Sequence, residues 1–285
     1  MNTNKTIAVT GASGQLGRLV IKALQTKLAN NQIVALVRNP DKASDLGVAA
    51  RKADYTDPAT LDQAFQGIDT LLLISSNEIG QRVQQHRNVI EAAQKAGVKH
   101  LVYTSLLHAD TSPLSLAAEH LATETEIKAS GLPYTILRNG WYTENNTASV
   151  PGAIASGALI GSAGIGKISG ATRADFAEAA AVVLIENDHE GKIYELAGDQ
   201  AYTLTDLAEE ISRQTGKSIP YQNLSEEDYA SALKDFGLPN EFADALASWD
   251  VDASKNALLD DSRQLSTLIG RPTTPLAEAV KASLN

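Results

Sequence analysis

Three stretches of this chain carry residue types at spacings that could do chemistry. The first is Gly11-Ala12-Ser13-Gly14-Gln15-Leu16-Gly17, with three glycines at intervals of three. Bare backbone of this kind, placed between a strand and a helix, offers unpaired N–H groups and the positive helix end to an anion. Gly11 would permit the tight turn, Gly14 the approach of a pyrophosphate, and Gly17 close packing of helix on sheet. The spacing is GxxGxxG rather than GxGxxG, and a glycine-rich turn without a ligand is the alternative. The strand before it and the amphipathic helix after it favour dinucleotide binding.

The second stretch, Val37-Arg38-Asn39-Pro40-Asp41-Lys42, falls where an NAD site places an acid, about 20 residues beyond the glycines. Arg38 stands at the strand end, where a guanidinium can hold a ribose 2′-phosphate through paired, charge-assisted hydrogen bonds. Lys42 would add a second positive charge. Asp41 comes too late for the ribose and is expected to begin the next helix. NADPH is therefore expected over NADH, unless Arg38 is only a solvated loop cation. Two further strand ends are polar: Asp54-Tyr55 could meet the adenine, and Ser75-Ser76-Asn77 the ribose and nicotinamide. Each could instead be a turn or a helix cap.

The third stretch is Arg138-Asn139-Gly140-Trp141-Tyr142-Thr143-Glu144-Asn145. Its aromatics could form a flat apolar slot beside a nicotinamide, and Asn145 could hydrogen-bond a carbonyl; packing at a domain junction is the alternative for Trp141 and Tyr142. What is missing matters as much. After LVYTS (101–105) no YxxxK follows, the pair by which many Rossmann-type reductases protonate an alkoxide. His120 and Glu124 share a helix face, either as a hydrogen-bonded pair or as an altered acid/base dyad, and the sequence leaves that choice open. They are too few for a metal site. Hydride addition to a simple ketone creates a strongly basic oxyanion that needs a positioned donor. Hydride addition to a quinone gives a phenolate-like anion that water can protonate, so stacking, orientation and a few hydrogen bonds suffice.

The elements that must position these residues follow from hydropathy. Continuous, β-branched apolar runs at 7–10, 33–37, 70–74, 101–105 and 134–138 read as strands covered on both faces. Helical segments lie between them, including one with Val89, Ile90 and Ala93 on one face and Gly97 as its stop. The fold class is α/β, a doubly wound parallel sheet of Rossmann type with a smaller, mainly helical C-terminal lobe. The expected division is 1–140 for the dinucleotide domain and 141–285 for the substrate-side lobe, with one strand near 194–198 returning to the sheet. The Gly/Ala/Ser-rich stretch 151–173 is expected to be a packed loop, followed by a helix from Ala174 to about Ile185. Ser225 and Asp228 have capping-box spacing.

Composition narrows the partners. With 285 residues, 43% of them hydrophobic, the chain can bury a sizeable core. A net charge of −10 speaks against nucleic acid and anionic membranes. Cys 0 excludes disulfides and thiolate nucleophiles. The other histidines lack a metal-ligand spacing, no GxSxG elbow occurs, and no metal is expected. No apolar run reaches membrane-spanning length, the N-terminal run is too short for a secretory leader, and a cytoplasmic location is expected.

The motifs TGASGQLG, IVALVRNP, LLLISSNEIGQR, QHRNVI, YTSLLHADTSPL, ILRNGWYTEN, ATRAD, YELAGD, YQNLSEEDYASALK and LIGRPTTPLAE together resemble the bacterial NmrA-like NAD(P)H:quinone oxidoreductases of type 2, atypical short-chain dehydrogenases/reductases. The resemblance covers nearly the whole chain. It implies a Rossmann domain with a smaller C-terminal lobe and two-electron reduction of a small-molecule quinone by NADPH without flavin. Carried over by position, it puts Gly11 to Leu16 on the pyrophosphate and Arg38 on the 2′-phosphate. Ser75, Ser76, Asn77 and the segment from Asn139 to Glu144 would line the cofactor cleft, with Asn145 beside the quinone. Two other readings stand beside it: an NADP(H)-binding redox sensor without turnover, and a reductase of triphenylmethane dyes, whose carbocations need hydride but no proton. The resemblance does not fix the oligomeric state.

Overall fold

The computed structural model describes residues 5–284. They form two compact units: one runs to Asp110 and adds Leu116–Asn139 and Arg173–Leu196, and the other comprises Thr111–Ser115, Gly140–Thr172 and the chain from Ala197 onward. The return to the first unit thus includes a helix as well as the expected strand.

In chain order the first unit contains β1 (Ile7–Thr10), α1 (Gln15–Gln25), β2 (Ile33–Val37), β3 (Ala49–Lys52), α2 (Pro58–Ala64), β4 (Thr70–Leu73), α3 (Arg82–Ala96), β5 (His100–Leu106), α4 (Ala117–Ala129) and β6 (Tyr134–Asn139). After an excursion into the second unit it resumes with α7 (Arg173–Ile185) and β8 (Ile193–Leu196). All seven strands are parallel, in the order β3-β2-β1-β4-β5-β6-β8. β1, β2, β4 and β5 are buried along their whole length, as continuous apolar runs require when helices cover both faces. Ala8, Leu71, Leu73, Leu101, Tyr103 and Ile136 pack with Phe65, Val89, Ile90, Ala93 and Ile127 on the α2–α3–α4 side. Alternation sends Ile7, Val9, Leu72 and Val102 to the opposite face, where α1 and α7 pack together. The edge strand β3 carries Arg51 and Lys52, charges that blunt its free edge. Strand order reverses at β1, which has β2 on one side and β4 on the other, so the crevice between their C-terminal ends is the expected ligand position in such a sheet.

The second unit contains α5 (Thr143–Thr147), α6 (Val150–Ser156), β7 (Leu159–Gly161), α8 (Leu204–Thr215), β9 (Tyr221–Asn223), α9 (Glu226–Asp235), α10 (Asn240–Ser254), α11 (Gln264–Ile269) and α12 (Leu276–Ser283). It is mainly helical, as expected, but β7 and β9 form a parallel pair the sequence did not suggest. The stretch 151–173 is not a plain packed loop. It supplies most of α6 and all of β7, and its Ile165 is 89% exposed. Ser225 caps α9 by accepting from Asp228 N, and a capping box of Thr203 with Asp206 opens α8. Gly166 allows a close approach here: a Cβ would lie 2.1 Å from the Ala253 carbonyl oxygen.

Candidate functional site

The turn between β1 and α1 requires its glycines for separate reasons. Gly11 sits at φ +58, a left-handed conformation that favours glycine. Its carbonyl accepts from Gly14 N at 2.9 Å. A Cβ on Gly17 would lie 2.3 Å from the Gly11 carbonyl oxygen and 2.7 Å from Ala12 Cα, so no other residue fits without moving backbone. Ala12, Leu16 and Gly17 are buried beneath the turn, and Gln15 is exposed at the first position of α1. Gly14, the N-cap, brings no side-chain cap to the first turn of α1. The orphan N–H groups and the positive end of the dipole are thereby left to an external anion.

Around this turn opens a crevice of about 300 Å³. Gly11, Ser13 and Gly14 form one wall, and Leu36, Val37 and Arg38 come from the end of β2. Ala53, Asp54 and Tyr55 follow β3, Ile74 to Glu78 follow β4, and Gln85 reaches in from α3. Arg38, with its side chain 71% exposed, lies 3.3 Å from a Glu78 carboxylate oxygen. Asp54 accepts from Thr56 N and Oγ1 at 2.9 and 2.7 Å, contacts that hold its carboxyl below the usual range despite partial burial, with Arg38 and Lys52 adding to the effect. The Tyr55 hydroxyl lies 2.8 Å from the Ile74 carbonyl oxygen and 2.5 Å from Thr10 Oγ1, tying the β1, β3 and β4 ends together. Gln85 donates to Glu78 at 2.7 Å, while its Oε1 is buried with no hydrogen-bond partner among the described residues. That acceptor, the uncapped helix end and Arg38 suit a ligand with hydrogen-bond donors at one place and phosphates at two others, as a dinucleotide phosphate has. Lys42 does not line the crevice; its carbonyl accepts from the Arg18 guanidinium.

The loop after β4 is held from beneath. Ser75 N donates to Thr104 Oγ1 and Ser76 N to His86 Nε2, each at 2.9 Å. An Nε2 that accepts requires the Nδ1–H tautomer, which pairs with Thr123 Oγ1 at 3.0 Å. Burial, with Arg82 adding to it, pushes His86 down to about 3, so it stays neutral and keeps this acceptor. Arg82 donates to the Ser76 carbonyl at 2.8 Å and pairs with Glu119. Gln85 and His86 share the buried face of α3 with Val89 and Ala93. That face was legible in the sequence; the polar residues at its N-terminal end were the unused signal.

His120 and Glu124 are both buried, but each is committed elsewhere. His120 Nδ1 lies 2.7 Å from the Tyr103 hydroxyl, which burial keeps protonated, and burial holds His120 itself neutral. Glu124 accepts from Ser105 at 2.7 Å and from Arg138 at 2.8 and 2.9 Å. Burial alone would raise the Glu124 carboxyl, yet Arg138, Ser105 and Lys128 hold it below its ordinary value. Arg138 also binds Glu195 and Asp110. This network fastens β5, β6, α4 and β8 together. Neither residue is set up as a proton donor, so the acid/base dyad gives way to two structural partnerships.

Asn139 ends β6 in register with Leu106, and its carbonyl accepts from Leu107 N at 3.0 Å. The segment Gly140 to Asn145 belongs to the second unit. Tyr142 is the extended N-cap of α5 and bridges to Ala171, and Thr143 N donates to the Ala171 carbonyl at 2.8 Å. Trp141 donates to Asn146 Oδ1, and Asn146 in turn donates to the Tyr202 hydroxyl, both at 3.1 Å. Trp141 meets Trp249 edge-to-face at 6.2 Å. Of the two adjacent asparagines, Asn146 is built into this packing, whereas Asn145 stands exposed on α5 between the partly buried Glu144 and Asn146. Among the described residues no group of three or more His, Asp or Glu could hold a metal ion, and no helix is long and apolar enough to cross a membrane.

Comparison with known proteins places the chain among dinucleotide-binding folds. The NAD(P)H-binding family model matches residues 11–187. Quinone oxidoreductase 2 of Escherichia coli is 60% identical over 282 residues, spanning 98% of this chain and 99% of that protein. The crystal structure of the Escherichia coli NADPH-dependent quinone oxidoreductase complexed with NADPH superposes with a TM-score of 0.95, covering 98% of this chain and 100% of that one. Triphenylmethane reductase of Citrobacter sp., complexed with NADP(H), is 42% identical, with a TM-score of 0.94 over 98% of this chain and 100% of its own.

Proposed function

This chain belongs to the NAD(P)H-binding, NmrA-like family of oxidoreductases, and within it we propose an NADPH-dependent quinone oxidoreductase that passes hydride from nicotinamide to a quinone without a flavin. The observation that carries the cofactor half is the opening of the glycine turn and Arg38 onto one crevice. The quinone half is supported by the likeness to the Escherichia coli enzyme over the full chain. It is supported too by the commitment of His120 and Glu124 to structural bonds, which suits an acceptor whose reduced form needs no protein acid.

Bound NADPH supplies the hydride; the protein binds and orients. The turn from Gly11 to Leu16 holds the pyrophosphate at the α1 N-terminus, with Gly14 N itself kept on the Gly11 carbonyl. Arg38 takes the 2′-phosphate and Asp54 the adenine side. Ser75, Ser76 and Asn77 line the ribose and nicotinamide, their loop set by His86 and Thr104. Asn139, Gly140, Trp141, Tyr142, Thr143 and Glu144 complete the lining. The Asn145 amide donates to the quinone oxygen and gains strength as that oxygen becomes anionic. The substrate is a free small-molecule quinone and the setting cytoplasmic, in keeping with an acidic chain of net charge −10.

A second reading, reduction of a triphenylmethane cation, is favoured by the 42% identity to the Citrobacter enzyme. Flavin-free protein given NADPH with either benzoquinone or a triphenylmethane dye decides between them. Faster NADPH oxidation with the quinone supports the proposal, faster oxidation with the dye supports the second reading, and tight NADPH binding with neither turnover points to a sensor.

A further inference from the structure

An NAD site places an acid at the end of β2 to accept from the ribose 2′-hydroxyl, and here that position is Arg38. An acid is nevertheless present, supplied from a different element. Glu78, in the loop between β4 and α3, lines the same crevice and binds Arg38 at 3.3 Å through Oε1. Its other oxygen is held by Gln85 at 2.7 Å, and its backbone N donates to Ser76 Oγ at 3.2 Å. Gln85 is 4% exposed and fixed on α3, so Glu78 is placed by a rigid neighbour. The charges at this mouth are balanced: Arg38 faces Glu78 directly, and Arg38 and Lys52 act on Asp54.

From this juxtaposition we infer that Glu78 is the residue that sets how strongly the crevice prefers NADPH to NADH. The inference rests on reading the crevice as the dinucleotide site. A 2′-phosphate reaching the Arg38 guanidinium comes to lie close to the Glu78 carboxylate, which holds Nη1 of that guanidinium, and like charges at that range repel. A 2′-hydroxyl has no such conflict, since it can donate to Glu78 and leave the Arg38 pair intact. Glu78 therefore weakens NADPH and assists NADH, and the preference created by Arg38 is muted.

The test is isothermal titration of NADPH and NADH into the wild-type protein, Glu78→Gln and Glu78→Ala. Loss of the charge is expected to tighten NADPH and weaken NADH, raising the ratio of NADH to NADPH dissociation constants by about tenfold in both variants. A ratio within about twofold of wild type in both variants overturns the inference. So does a rise in Glu78→Ala alone, which would mean that bulk rather than charge is at work. Should the wild-type protein bind neither dinucleotide, the crevice reading fails and takes this inference with it; a failure confined to the ratio leaves that reading standing.

Discussion

Arg38 and Asn145 divide the proposed chemistry between cofactor choice and substrate orientation, and each can be tested alone. Arg38 is exposed and holds no buried structure together, so its replacement should act on binding and not on folding. Arg38→Glu is expected to weaken NADPH by about 2–3 kcal/mol, roughly 30- to 150-fold, while changing NADH far less. Equal losses for both cofactors would remove the 2′-phosphate from its side chain. Asn145→Ala is expected to lower quinone turnover by about 10- to 100-fold with NADPH affinity nearly unchanged, because the amide acts on charge that develops at the quinone. A parallel loss of NADPH affinity would make Asn145 a support for the fold instead. The glycines and Arg38 were legible in the sequence because residue type alone restricts what they can do. Glu78 and Gln85 were not: their part in the crevice comes from β4 and α3 folding against the end of β2, which spacing along the chain does not encode.

Among elements, the loop from Ser75 to Glu78 depends on α3 beneath it. His86 supplies the acceptor for Ser76 N, and its removal would strand a partly buried N–H at a cost of about 1–3 kcal/mol. His86→Leu should therefore lower the unfolding midpoint and weaken NADPH, whereas His86→Gln, which retains an acceptor, should recover part of both. Loss of stability with NADPH affinity intact would show that the loop does not need this anchor for binding. The strands of the sheet were readable because a run buried on both faces is continuously apolar, as in β2 and β5. β7 and β9 were not readable. Three-residue strands set no period, and β7 lies in a glycine-rich stretch that hydropathy presents as a loop.

For the molecule as a whole, the histidines fix an acid limb of stability in the first unit. Burial pushes His86 down to about 3 and His100 to about 4, and holds His120 well below its ordinary 6.5. Between pH 6.5 and about 4 the unfolded chain takes up protons that the folded unit refuses, so stability is full above 6.5 and is lost as pH falls. Each histidine contributes at most about 1.4 kcal/mol per pH unit. Asp250 in the second unit has the opposite sign: burial pushes it up to about 6, so the folded form holds a proton as pH falls from 6 toward 3.8. Chemical denaturation followed by circular dichroism, which reports the helices and strands of both units, should thus show stability falling between pH 7 and 5. Stability that is flat or rises over that range would mean that the buried histidines do not govern the acid limb.

Direct hydride passage from nicotinamide to quinone is best examined in a single turnover of flavin-free protein. NADPH deuterated at the transferable C4 position is mixed with the protein and benzoquinone, and the nicotinamide absorbance is followed. The expected result is protein-dependent decay that is slower for the deuterated cofactor than for the ordinary one. Decay that is no faster with protein than without it, or that is identical for the two cofactors, would contradict direct transfer.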